Sequence, residues 1–434
     1  STSNEGEKNY NNVFRVFSNL FPSYEVLGTA QRNQSNTKFS YYAQINKPLD
    51  EQRISIVSRL KTFVGEYIEW INSMEQKSST LGQLHTEASE AVIERCRKVY
   101  KRITEGINYL EENSNALKAF IIANRAIWMQ QCHFSLKNRD NIDESEFVNP
   151  SINLDEYTER GWRAFQLAFL LMNIKTLPNF EKTNPQYMED VELIWFPTGG
   201  GKTEAYLGLS AFTIVYNRLV DNPNEYGVEV LMRYTLRLLT SQQFQRASTL
   251  ICAIDYIKNK EDLSQINAEE FKNTKDVTIG LWVGQSLTPN VNSDAVSKRR
   301  NIKPGSNPFQ ILSCPWCKTS LENPLNSDKP TYDGYKIVGL RSDAQVVFRC
   351  PERKCNFSNK DLPIKVVDDQ LYENPPTILI GTVDKFAQLA WKNEPKKFFG
   401  VKDDIKPPSL IIQDELHLIS GPLGSIVGHY EYLV

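Results

Sequence analysis

The sequence predicts an α/β protein: a parallel sheet with helices on both faces, preceded by a mainly helical region and interrupted by a cysteine-bearing insertion. Three observations predict it. Apolar, β-rich runs at 192–196, 227–232, 277–283, 376–381 and 408–413 alternate with helical periodicities at 203–219, 236–258 and 384–392. Such continuous apolar runs separated by helices fit strands buried on both faces. A triple-glycine turn, Pro197-Thr198-Gly199-Gly200-Gly201-Lys202-Thr203-Glu204, joins the first run to the first of these helices. The polar, proline-rich stretch 284–375 breaks the alternation and holds four clustered cysteines.

At 434 residues the chain has material for two or three domains. The expected division is a helical domain at 1–150, the first part of the α/β domain at 151–283, the insertion at 284–375 and the second part at 376–434. The net charge of −2 carries no global field for nucleic acid or a membrane, although a local basic surface remains compatible with it. No apolar run reaches eighteen residues, so no membrane span is expected. Residues 1–12 lack the apolar core of a signal peptide. Cys96, Cys132 and Cys252 stand singly in apolar helical patterns and are expected to be buried thiols in a reducing, cytoplasmic setting.

In order, residues 1–45 are polar with short apolar pieces. Helices are expected at 48–75, where Ile54, Leu60, Val64 and Trp70 recur at helical spacing, at 85–113 with Val92, Ile103 and Leu110, and at 115–134. Residues 138–158 are polar and broken by Pro150, as in a linker, and a helix then fits 159–174.

The glycine-rich turn has the layout of a nucleotide-phosphate loop. Its glycines let backbone N–H groups crowd around phosphate oxygens. Lys202 offers a cation to them, Thr203 a hydroxyl for Mg²⁺, and the helix N-terminus its positive dipole end. Phe196 stands where the general pattern has glycine. Leu410-Ile411-Ile412-Gln413-Asp414-Glu415-Leu416-His417 is a second strand ending in polar groups. There Asp414 is placed to hold Mg²⁺ and Glu415 to activate an attacking water.

Asp-Glu-x-His is similar to motif II of the superfamily 2 helicases, and the phosphate loop to their motif I. Tyr234-Thr235-Leu236-Arg237 with Gln243 resembles motif Ia, and Gly381-Thr382-Val383-Asp384-Lys385 resembles motif Ib. The wording of these stretches is similar to the helicase of the DISARM bacterial antiphage system. The resemblance implies a RecA-like, P-loop NTPase sheet, ATP and Mg²⁺ as cofactors and DNA as the polymer. Tyr234, Thr235, Arg237, Gln243, Gly381, Thr382 and Lys385 are then the nucleic-acid contacts, and His417 couples them to the ATP site. It also implies a second RecA-like domain, supplied in trans or by further sequence, and other defence proteins as partners. With a motor half alone, weak nucleotide binding and little translocation are expected. A nucleotide-regulated scaffold without turnover is the alternative. In such helicases a glutamine upstream of motif I reads adenine, a role Gln166 would take beside Trp162 or Phe165. Alternatively Trp162, Phe165, Phe169 and Leu170 form a core face with Gln166 on the other side.

Cys314 and Cys317, then Cys350 and Cys355, are two close pairs suited to a tetrahedral zinc site. Runs at 335–340 and 345–349 fit a hairpin between them, giving a zinc-ribbon-like module. Four thiolates leave no open coordination position, so a structural Zn²⁺ is expected. The basic run Lys298, Arg299, Arg300 and Lys303 ahead of it is read as a solvated face or a contact to DNA or a partner.

Overall fold

The computed structural model describes residues 39–40, 45–135, 161–177, 191–195, 201–220, 227–235, 237–302, 306–322, 332–340, 343–400, 405–419 and 427–428. All lie in one of the chain's two units, Lys38–Val434. The expected linker at 138–158 and the loop residues Pro197, Thr198, Gly199 and Gly200 fall outside the described residues.

Strand β1 (Phe39–Ser40) leads to three long helices, α1 (Leu49–Ser78), α2 (Gln83–Glu112) and α3 (Ser114–Phe134). Helices α1 and α2 pack as an antiparallel pair, and α3 is buried on nearly every side. Asn113 starts α3 by accepting from the Ala116 amide at 2.9 Å, which satisfies one donor that helix geometry leaves free. Three residues read as core face, Ile54, Trp70 and Val92, are exposed instead. Helical spacing alone does not tell which stripe of a long two-helix hairpin finds a partner. Cys132 and Cys252 are buried as expected, whereas Cys96 is half-buried.

Strand β2 (Gly161–Trp162) pairs with β1 and opens into α4 (Ala164–Ile174), which lies along α2. Gly106 allows this approach: a Cβ there would stand 1.9 Å from the Leu171 carbonyl oxygen. Helix α5 (Lys202–Val220) is wrapped by α3, α4 and the sheet.

The sheet comprises β3 (Val230–Tyr234), β4 (Ile279–Trp282), β7 (Ile364–Lys365), β8 (Ile378–Thr382) and β9 (Leu410–Gln413). All neighbours are parallel, in the order β7-β4-β8-β3-β9. Helix α6 (Arg237–Lys260) connects β3 to β4, and α7 (Asn292–Arg300) follows β4. Between β4 and β7, β5 (Tyr335–Val338) and β6 (Gln345–Phe348) form the expected hairpin. Short helices α8 (Asp368–Glu373) and α9 (Val383–Phe386) flank β8. The helix expected at 384–392 is therefore short and passes into a 3-10 turn at Ala387–Ala390.

Alternation along the strands sends Val230, Met232, Ile378 and Ile380 into the core beneath α5 and α6. Leu231, Leu379 and Trp282 face the opposite side, with Phe386 and Phe398. The first cluster draws residues from all four expected segments of the chain.

Of the first strand expected, 192–196, the described residues 192–195 do not form one. Residues 191–195 pair with no described strand, and Val191, Leu193 and Trp195 are 90%, 72% and 80% exposed. An apolar run supplies the side chains of a buried strand, but a strand also needs neighbours for its backbone groups.

At the amino-terminal end of the sheet, Arg218 meets Glu229 at 2.6 Å with both side chains buried. Asn217 donates to the other Glu229 oxygen at 3.1 Å. Burial pushes the Glu229 carboxyl pKa up, against the pull of the Arg218 charge. Arg218→Ala leaves this carboxylate uncompensated, and a loss of about 3–5 kcal/mol is expected in urea unfolding. An unchanged midpoint would show that the pair adds nothing.

Candidate nucleotide and metal sites

Helix α5 begins at Lys202, so its first backbone N–H groups face the end of the glycine loop. Gly201 has φ +88°, a conformation that side chains disfavour. A Cβ there would also stand 2.7 Å from Gln166 Nε2 and displace that side chain from its place. Gln166 donates from that nitrogen to the Gly201 carbonyl at 2.7 Å and accepts from the Arg163 amide at 2.8 Å. Its amide is thus buried and engaged at both ends against the loop. Trp162 is turned into the core, where its indole N–H donates to Asn124 at 2.7 Å.

Lys202 is half-buried and Thr203 buried. Glu204 pairs with Arg246 of α6 and accepts from Gln131 of α3 at 3.2 Å. The loop's acid is therefore held by two helices from distant parts of the chain.

The acids lie at the carboxyl end of β9. The Asp414 amide donates to the Arg233 carbonyl of β3 at 3.1 Å. One Asp414 carboxylate oxygen accepts from the Glu415 amide at 2.9 Å. The other lies 3.0 Å from the Tyr206 hydroxyl, one turn into α5. That hydroxyl also lies 3.1 Å from Tyr234 Oη and 3.3 Å from Thr203 Oγ1. A carboxylate only accepts, so Tyr206 gives its single proton to Asp414. Burial pushes both tyrosine pKa values up, which keeps them as phenols.

Glu415 has φ +50°, uncommon for a residue with a side chain and a form of strain concentrated at functional positions. His417 is exposed and meets the Glu415 carboxylate at 3.3 Å. Thr203 and Asp414 flank one phenolic oxygen and so face the same small space. A hydroxyl and a carboxylate of this kind fit a divalent cation that keeps several waters, as Mg²⁺ does.

The other residues expected in motifs are divided by the fold. Tyr234, Thr235 and Thr382 gather at the carboxyl ends of the neighbouring strands β3 and β8, where Tyr234 is in register with Thr382. Among the described residues the hydroxyls of Thr235 and Thr382 and the Gln243 carbonyl oxygen are buried without a hydrogen-bond partner. Gly381 is buried against the Phe386 ring. Lys385 points inward, pairing with Asp368 at 2.7 Å and donating to the Val283 carbonyl at 3.1 Å. Arg237 begins α6, and its side chain is outside the described residues. In the basic run, Arg299 holds the Tyr335 and Tyr332 carbonyls, and Lys298 pairs with Asp294.

The four cysteines converge. The Sγ atoms of Cys314, Cys317, Cys350 and Cys355 all lie within 4.8 Å of one another, and all four residues are buried. Cys317 and Cys350 are 3.4 Å apart, and Cys314 and Cys355 4.0 Å. Tetrahedral zinc with bonds of about 2.3 Å sets its sulfurs about 3.8 Å apart. The group can therefore hold a metal ion. Hydrogen bonds from Cys314, Cys350 and Cys355 pull the Cys317 thiol pKa far down, whereas burial pushes that of Cys314 up. Ligating thiols must be deprotonated, so metal binding at this cluster releases protons.

The turn between the first two cysteines is embedded. Trp316 stacks on His133 of α3 at 3.4 Å and on Tyr256 of α6 at 5.2 Å, with the Phe357 ring edge-on to it. His133 Nδ1 lies 2.7 Å from the Trp316 carbonyl, a contact that requires the proton on that nitrogen. Burial lowers the His133 pKa to about 3. The sequence marked neither this stack nor Tyr206, Arg246 or Gln131. Their partners lie 28 to 208 residues away, apart from Thr203 and the shorter links.

Fold and sites together define an α/β protein with a five-stranded parallel sheet, a glycine-led helix start beside strand-end acids, and a buried four-thiol cluster. No family model matches the chain. It resembles the DISARM protein DrmA of Bacillus paralicheniformis, which is 33% identical over 435 residues. That similarity extends over 89% of this chain, which spans 36% of the relative's length. Among the described residues no helix is long and apolar enough to cross a membrane.

Proposed function

We propose that the chain forms the first half of an ATP-driven, superfamily 2-type motor acting on DNA in DISARM-type antiphage defence. The observation that carries this reading is the convergence of Thr203 and Asp414 on one small space at the carboxyl edge of a parallel sheet, beside Lys202 at a helix start. Ligands of such sheets bind at that edge. In this RecA-like reading Pro197 to Lys202 cradle the phosphates, Thr203 and Asp414 hold Mg²⁺, and Glu415 activates the water. His417 relays the state of Glu415 to the polymer.

Thr235 and Thr382, at the ends of β3 and β8, and Gln243 in α6 are the contacts we assign to a phosphate backbone. Tyr234, Gly381 and Lys385 shape that surface from beneath. Gln166 acts on nucleotide by fixing the loop carbonyl. The cysteine module, 284–375, carries a structural Zn²⁺, and the helical region before residue 150 braces the motor. The protein works in the cytoplasm, with a second RecA-like domain completing the ATP site. The DrmA resemblance supports the defence role.

The test is binding of a fluorescent ATP analogue and DNA-stimulated turnover, with Lys202→Ala alongside. Losing a charged contact to phosphate weakens binding about 10- to 100-fold. Equal binding by Lys202→Ala, or none by the unmodified protein, would remove the reading.

A further inference from the structure

Tyr206 was given no role by the sequence and Tyr234 was expected only as a nucleic-acid contact, yet both stand at the strand-end acids. Tyr206 is buried among Thr203, Tyr234 and Asp414, and its hydroxyl is within hydrogen-bond distance of all three. A phenol has one proton and two lone pairs. The proton goes to Asp414, the one partner that can only accept. The Tyr206 oxygen is then left to accept from Tyr234, and Thr203 Oγ1 lies beside it at 3.3 Å.

The bond to Asp414 bears on a cation. A ligating carboxylate must be held in one rotamer. Asp414 is held at one oxygen by the Glu415 amide and at the other by Tyr206. Tyr234, fixed in β3, backs the Tyr206 hydroxyl from the sheet side.

We propose that Tyr206, backed by Tyr234, is the positioning residue of the divalent-cation site: its hydroxyl locks the Asp414 carboxylate next to Thr203. This rests on the nucleotide-binding reading above and adds to it a residue that touches neither nucleotide nor metal. Groups that orient metal ligands typically contribute 10- to 100-fold in metal affinity.

Tyr206→Phe keeps the buried ring and removes only the hydroxyl. The readout is the Mg²⁺ concentration giving half-maximal Mg²⁺-dependent binding of a fluorescent ATP analogue, measured at equilibrium without turnover. It rises about tenfold or more in Tyr206→Phe and by a smaller factor in Tyr234→Phe. Thermal unfolding without nucleotide is followed for each variant, since a purely structural role would move the melting temperature and not the Mg²⁺ midpoint. An unchanged midpoint in Tyr206→Phe overturns the proposal. Asp414→Asn separates the two levels. If Asp414→Asn abolishes the Mg²⁺ dependence while Tyr206→Phe leaves it intact, only the tyrosine role is lost. If unmodified protein binds nucleotide without Mg²⁺ dependence, both the role and the reading beneath it fail.

Discussion

On the proposed function, Glu415→Gln is expected to lower ATP turnover of the assembled motor about 100- to 10,000-fold, the usual worth of a positioned general base, while nucleotide binding persists. The amide keeps the length and shape of the side chain and cannot take a proton from water. The backbone gives this result a control. Glu415 sits at φ +50°, where a side chain costs energy and glycine does not. Glu415→Gly should therefore abolish turnover equally while raising stability, by on the order of 1 kcal/mol in urea unfolding. Activity and stability moving in opposite directions would mark a strained catalytic position. Turnover that survives Glu415→Gln in the presence of DNA and the completing domain would instead favour the scaffold alternative.

Removing metal from the cysteine cluster is expected to have the largest effect on structure. Metal in a site of four thiolates contributes directly to folding, about 10–16 kcal/mol apparent in small zinc modules. Here the cluster also anchors Trp316 between His133 and Tyr256. Elemental analysis should give one zinc per chain. Chelation, or Cys350→Ser, should shift Trp emission to the red as that stack opens and lower the melting temperature by well over 10 °C. A metal-free protein with unchanged emission and melting would mean that the thiols are ordinary core residues.

The regular elements were legible wherever a run had both the right period and an available neighbour. The apolar stretches that became β3, β4, β8 and β9 were found within two or three residues of their ends, as was the β5–β6 hairpin. The run at 192–196 had equal hydrophobicity and failed, because pairing is a property of two segments and periodicity describes one. The same limit governs the side chains. Asp414 and Glu415 could be singled out because strand-end acids have a local signature. Tyr206 could not, since its meaning depends on Asp414, 208 residues on. Lys385 looked like a cation at a helix start, but Asp368, seventeen residues earlier in the chain, turns it inward. Gln166 was expected to read adenine or to lie away from a core face; that it is buried and bonded to two backbone groups emerges only in three dimensions.

The apolar cluster that takes residues from every expected segment sets where the protein can be divided. Helix α3 lends its surface to α5, α6 and the Trp316 turn, and Gln131 on it reaches Glu204 in the first turn of α5. A cut that frees the sheet from the helices before it would strip Phe120, Ile127 and Trp128 from their neighbours and leave Glu204 with one partner fewer. The helices are thus a wall of the same body as the sheet, and any shortened version of the chain has to carry them along.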